Sequence, residues 1–75
     1  MAERDQILIH VGKRIRVLRE VRGFSQEGLA EKSGLHRTYI GGVERGLRNP
    51  SLKSLARMAT ALGVGVGEFF EGAPH

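Results

Sequence analysis

Residues 26–43 read QEGLAEKSGLHRTYIGGV, and their spacing decides how the rest of the chain must fold. Counting from Gln26, an alanine follows four residues on (Ala30) and a glycine eight on (Gly34). Apolar residues stand fourteen and seventeen on (Ile40 and Val43). Ala30 is small where a second helix must cross the first closely, and Gly34 supplies a tight, left-handed turn. Ile40 and Val43, three apart, share one helix face and can anchor it to a core. One feature resists the pattern. Gly41-Gly42 interrupts the helix that carries Ile40 and Val43, where each glycine costs about 0.8–1 kcal/mol relative to alanine.

Outward from this stretch, short helical patterns alternate with glycine and proline, and no strand-like alternation of useful length occurs. A first helix is predicted from about Asp5 to Arg22, with Leu8, Val11, Ile15 and Leu18 on one apolar face and Gly23 closing it. Ser25 is placed to cap the second helix, Gln26 to Ser33, and Gly28 stands where a capping box would put glutamate. The third helix runs from about Arg37 to Arg45 and ends at Gly46, with His36 a weak cap. Either Asn49 or Ser51 can cap a fourth helix whose buried stripe is Leu52, Leu55, Ala56, Ala59 and Leu62; Pro50 suits its first turn in the former case. Residues 66–70 form a short fifth piece. The expectation is an all-α, compact bundle of five short helices, with residues 1–75 forming a single domain.

Charge is unevenly spread. Residues 37–57 carry five basic and one acidic side chain, whereas residues 58–75 carry only two glutamates. The formal net charge is +4, so positive potential collects around the HRTYIGG stretch, which favours a polyanionic partner. Cysteine is absent, which excludes disulfides, thiol nucleophiles and cysteine-based zinc sites and favours a reducing cytoplasm. The opening residues lack an uninterrupted apolar region of the signal-peptide kind, and no apolar run approaches the roughly 20 residues of a membrane span. Asp5, His10, His36 and His75 show neither triad nor metal spacing, so neither an enzyme nor a metal site is expected.

The spaced pattern over about residues 26–45, with its positive charge, is what a helix-turn-helix requires. With it in view, SQEGLAEKSGLHRTYIGGVERGLRNPSLKSL resembles the Cro/repressor-type (XRE) helix-turn-helix regulators, and the likeness extends from Val11 to Phe70. RTYIGGVER followed by RN and SLKSL is most similar to the controller proteins of restriction–modification systems. The resemblance implies a lambda-repressor-like DNA-binding domain acting in a prokaryotic cytoplasm, associated with the nucleoid, as a homodimer. It also implies autoregulation of a restriction–modification operon, as repressor or activator. No cofactor or small-molecule effector is expected.

Projected at about 100° per residue, Arg37, Thr38, Gly41, Gly42 and Arg45 lie opposite Ile40 and Val43. Arg37 and Thr38 sit at the helix start, where base contacts are made, and the resemblance gives them that role. Gly41 and Gly42 lie one turn on, off the core, where missing side chains would let backbone approach DNA closely. Arg45 shares that face. Tyr39, on the flank, is open to either phosphate contact or packing. Resemblance places Gln26 on a phosphate beside the Ser25-capped helix start, and Arg48, Asn49, Ser51 and Lys53 look like a second phosphate clamp. It likewise implies a structural ion pair between Arg19 and Glu44. Residues 64–72, with Val64, Val66, Phe69 and Phe70, are expected to form the two-fold interface, one phenylalanine closing the core and the other exposed. Glu27 and Glu31 could touch the RNA polymerase sigma subunit. The competing reading is an antitoxin-like or polymerase-binding interaction module on the same fold.

Overall fold

The helices start and stop on residues whose own chemistry favours it. The computed structural model describes residues 5–74; the readings that involve the first four residues and His75 lie outside them. Helix α1 spans Gln6–Val21, where the Asp5 carboxylate accepts hydrogen bonds from the backbone N–H groups of Ile7 (2.9 Å) and Leu8 (3.4 Å). Helix α2 spans Gln26–Ser33, with Ser25 Oγ accepting from Gly28 N–H at 2.9 Å. Helix α3 spans Arg37–Glu44, and His36 makes no side-chain capping bond. Helix α4 spans Leu52–Leu62, and Ser51, not Asn49, is its cap, accepting from Ser54 N–H at 3.0 Å. Pro50 therefore lies before the helix and not in its first turn. The fifth piece, Val66–Phe70, is a 3-10 helix.

A single device closes all four α-helices. A glycine in the left-handed region is followed by an apolar residue, whose N–H bonds back to a carbonyl five residues earlier. The pairs are Phe24 to Arg19, Leu35 to Ala30, Leu47 to Gly42 and Val64 to Ala59, all at 2.9–3.1 Å. At Gly34 (φ 74°) this closure is the turn between α2 and α3, and a side chain there would be strained.

The core is built from Val11, Ile15, Leu29, Ala30, Ile40, Val43, Leu55, Met58, Ala59, Ala61, Leu62 and Phe69. Helix α1 packs on α3 and the 3-10 helix, and α2 packs on α3 and α4. Two expectations for α4 need correction. Leu52 is 77% exposed and Ala56 is also exposed, whereas Met58 and Ala61 are buried. The inward register runs 55, 58, 59, 62, so Leu52 lies on the lip beyond the core and Ala56 falls on the flank. Phe69, assigned to a subunit interface, is fully buried in this chain's own core, and Phe70 is 38% exposed. Two side chains of α1 hold the C-terminal segment. His10 Nε2 donates to the Glu71 carbonyl at 2.6 Å and Arg14 Nε to the Glu68 carbonyl at 3.1 Å.

Helix α3 is fixed from beneath by a buried charged pair. Arg19 Nε and Nη2 donate to the two oxygens of Glu44 at 2.6 and 3.0 Å. Nη1 donates to the Phe24 carbonyl at 2.8 Å. Close by, Gly12 of α1 is buried against the end of α3, where an added Cβ would run into the carbonyl oxygens of Val43 and Glu44. The hydrogen-bonded Glu44 carboxylate raises the Arg19 guanidinium above its ordinary pKa, outweighing the lowering effect of burial. A cation shifted upward loses its stabilising contribution only as pH rises through the raised value, so the Arg19 guanidinium stays charged across the neutral range. Arg19→Met should cost about 3–5 kcal/mol, because Glu44 remains buried without its partner. Adding Glu44→Leu should recover part of that loss. Urea unfolding followed by circular dichroism measures both, and a wild-type midpoint for Arg19→Met would show that the pair does not hold α3.

Candidate nucleic-acid interface

The exposed side of α3 presents its first residues outward. Arg37 and Thr38 are both exposed, while Ile40 and Val43 on the opposite face are fully buried. Arg37 Nη1 donates to Glu27 Oε1 of α2 at 2.7 Å, with both side chains largely in solvent. No spacing rule in the sequence links these residues, because the pair forms across the turn and not along one helix. It occupies Glu27 in this structure and leaves Glu31 as the other exposed acid of α2.

Gln26 stands at the start of α2, half-buried, and its Nε2 donates to Glu44 Oε1 at 3.0 Å. The residue at the edge of the candidate surface is thus held by the same carboxylate that binds Arg19. Of the two roles open to Tyr39, packing is the one seen, its side chain lying against the core. Ser25 and Ser51 spend their hydroxyls on helix caps. Arg45, Arg48, Asn49 and Lys53 are all exposed. They follow one another from the end of α3 through the loop into α4, a run without acidic residues.

The two glycines lie on the polar side of α3, where the helical projection puts them, but they are not open. Both are buried. A Cβ on Gly41 would come within 3.4–3.7 Å of the side chains of Gln26 and Arg45, and one on Gly42 within 2.7 Å of Arg48 Cγ. They are covered by long polar side chains and do not present open backbone. The projection missed this because it places residues around one helix and ignores neighbours arriving from other segments.

Among the described residues no three or more histidine, aspartate or glutamate side chains could hold a metal ion together, and no helix is long and apolar enough to cross a membrane. The arrangement is a short helix with two exposed hydrogen-bonding side chains at its start, with Gln26 and Arg45 packed over Gly41 and Arg48 over Gly42, and with Asn49 and Lys53 exposed farther along the chain. Such a layout suits the major groove of a duplex, with base edges at the centre and phosphates at the rims.

Comparison with known proteins agrees. Control protein C.SmaI of Serratia marcescens is 50% identical over 56 residues, which is 75% of this chain and 67% of that protein. The crystal structure of the restriction–modification controller protein C.AhdI from Aeromonas hydrophila superposes with a TM-score of 0.83 at 52% identity, covering 84% of this chain and 96% of that one. The structure of the biofilm regulator SinR in complex with DNA superposes with a TM-score of 0.77 at 36% identity, covering 80% of this chain and 97% of that one. Residues 15–69 match the helix-turn-helix family model, and the chain belongs to that family, in its Cro/repressor-type branch.

Proposed function

We propose that this protein is a sequence-specific regulator of transcription that binds double-stranded DNA as a homodimer and controls a restriction–modification operon, its own gene included. The observation that carries this is the exposed Arg37–Thr38 pair at the start of α3, on a helix whose glycines are covered by the polar side chains of Gln26, Arg45 and Arg48. Similarity to C.SmaI and C.AhdI supports the operon context, and similarity to SinR, solved on DNA, supports the ligand.

Arg37 grips guanine O6 and N7 together, and Thr38 meets a neighbouring base edge. Binding must first break the Arg37–Glu27 pair. An exposed pair of that kind is worth about 0–1 kcal/mol, against about 1–3 kcal/mol of discrimination from a bidentate guanine contact, so the base wins. Glu27 holds the guanidinium in place until then. Gln26, Arg45, Arg48, Asn49 and Lys53 contact the DNA backbone, aided by N–H groups at the starts of α2 and α4.

The second copy covers a cleft lined by Ile7, Leu8, Pro50, Leu52 and Phe70. Leu52 and Phe70 expose apolar surface there, and a chain of 75 residues buries too little surface to be more than marginally stable alone. Val64 and Val66, half-buried against the core, support this edge from below. The two α3 helices then enter successive major grooves about 34 Å apart on a pseudo-palindromic site.

Gel shifts on the DNA upstream of its own gene test the reading, and absence of a sequence-specific complex at physiological salt would favour the protein-interaction module instead. Arg37→Ala should remove discrimination at one guanine, costing about 1–3 kcal/mol on the preferred site. Lys53→Ala should weaken all sequences alike and lower the log–log salt slope by about one. An unchanged sequence preference for Arg37→Ala would rule out its base-reading role. For the dimer, Phe70→Asp should shift sedimentation at micromolar protein to the monomer while preserving the circular dichroism spectrum.

A further inference from the structure

We infer that Gly42 is a positioning residue for Arg48. The missing side chain on α3 makes a seat in which the Arg48 side chain lies against the helix, and this sets where its guanidinium meets the DNA backbone. The inference rests on the reading of Arg48 as a backbone contact.

The two adjacent glycines are not equivalent. A Cβ on Gly41 would meet Gln26 and Arg45 at 3.4–3.7 Å, ordinary contact distances, so alanine fits there. On Gly42, the three nearest atoms all belong to Arg48: Cγ at 2.7 Å, Nε at 3.4 Å and Cδ at 3.7 Å. Non-bonded carbons sit at about 3.5–4.0 Å, so the Cγ contact requires Arg48 to move. Its backbone has little freedom to do so. The preceding residue is tied down by the bond from Leu47 N–H to the Gly42 carbonyl at 2.9 Å, next to the left-handed turn at Gly46. Cγ lies only two bonds from the Arg48 Cα, so relief comes from rotating to another χ1 rotamer, which carries the guanidinium elsewhere.

The seat also explains why Arg48 can be aimed without a charged partner. Among the described residues no ion pair or side-chain hydrogen bond holds its guanidinium. Contact along the aliphatic stem, possible only over a residue without Cβ, orders the side chain and leaves its donors open for phosphate. Ordering before binding lowers the entropy lost when the contact forms.

The test is a double-mutant cycle on the upstream DNA, with Gly42→Ala, Arg48→Ala and the double variant. Gly42→Ala should remain folded, since alanine's better helix propensity offsets the cost of moving the exposed Arg48 side chain to another rotamer, and circular dichroism checks this. It should bind DNA about 2–10-fold more weakly, the scale of ordering one long side chain. In the Arg48→Ala background the same change should have no further effect. In the free protein the Arg48 Nε–Hε resonance should move on Gly42→Ala and stay in place on Gly41→Ala. Equal losses in both backgrounds would mean that the Gly42 backbone itself approaches DNA, and would overturn the proposal. So would wild-type affinity for Gly42→Ala, or an unmoved Arg48 resonance. Wild-type affinity for Arg48→Ala alone would instead bring down the backbone-contact reading of Arg48, and the positioning role with it.

Discussion

The bidentate bond between Arg19 and Glu44 is the constraint on which the other parts of the structure depend. It joins the end of α1 to the end of α3, and through Gln26 and the Phe24 carbonyl it also takes in the start of α2. Helices of eight residues, such as α2 and α3, are too short to persist in water by themselves. Their geometry must come from packing and from bonds like these. No buried side-chain nitrogen or oxygen among the described residues lacks a partner. Taking a carboxylate and a guanidinium out of water is therefore compensated at each donor and acceptor. An apolar pair of similar volume could match the stability but could not at once orient Gln26, whose amide needs that carboxylate. The same carboxylate thus couples the internal framework to the edge of the candidate surface.

Most of the architecture was legible because its signals are local. Asp5, Ser25 and Ser51 cap helices by bonds to residues two or three positions away, and the glycine closures span six residues. The pattern Gln26, Ala30, Gly34, Ile40, Val43 is likewise confined to one turn and two helices. Where the reading failed, partners met across longer separations. Leu52 and Ala56 fit a stripe on paper, but the core sees α4 from a slightly rotated direction and takes Met58 and Ala61 instead. The burial of Gly41 and Gly42 depends on Arg45, which projection of α3 does show, but also on Gln26 and Arg48, which arrive from other segments. The Glu27–Arg37 contact and the His10 and Arg14 bonds to the C-terminal carbonyls belong to the same class.

Gly12 shows how a signal can be present and still be passed over. It stands in the middle of an amphipathic helix, one position from Val11, with no turn nearby. A glycine there weakens the helix, so its use points to a close approach by another segment. That segment is the end of α3, whose carbonyls fill the space a side chain would need. Together with the Arg19–Glu44 pair two turns on, it brings α1 close beneath the candidate reading helix.

The separation of the two faces of α3 bears on how such a protein can diversify. Ile40 and Val43 are completely buried, while Arg37 and Thr38 are exposed, and Arg37 pairs with the exposed Glu27. Substitutions at these two outward positions carry almost no folding penalty. Under the base-reading role proposed for Arg37 and Thr38, recognition can drift with the DNA site on a framework held by other residues. That independence lets one framework carry many different outward surfaces.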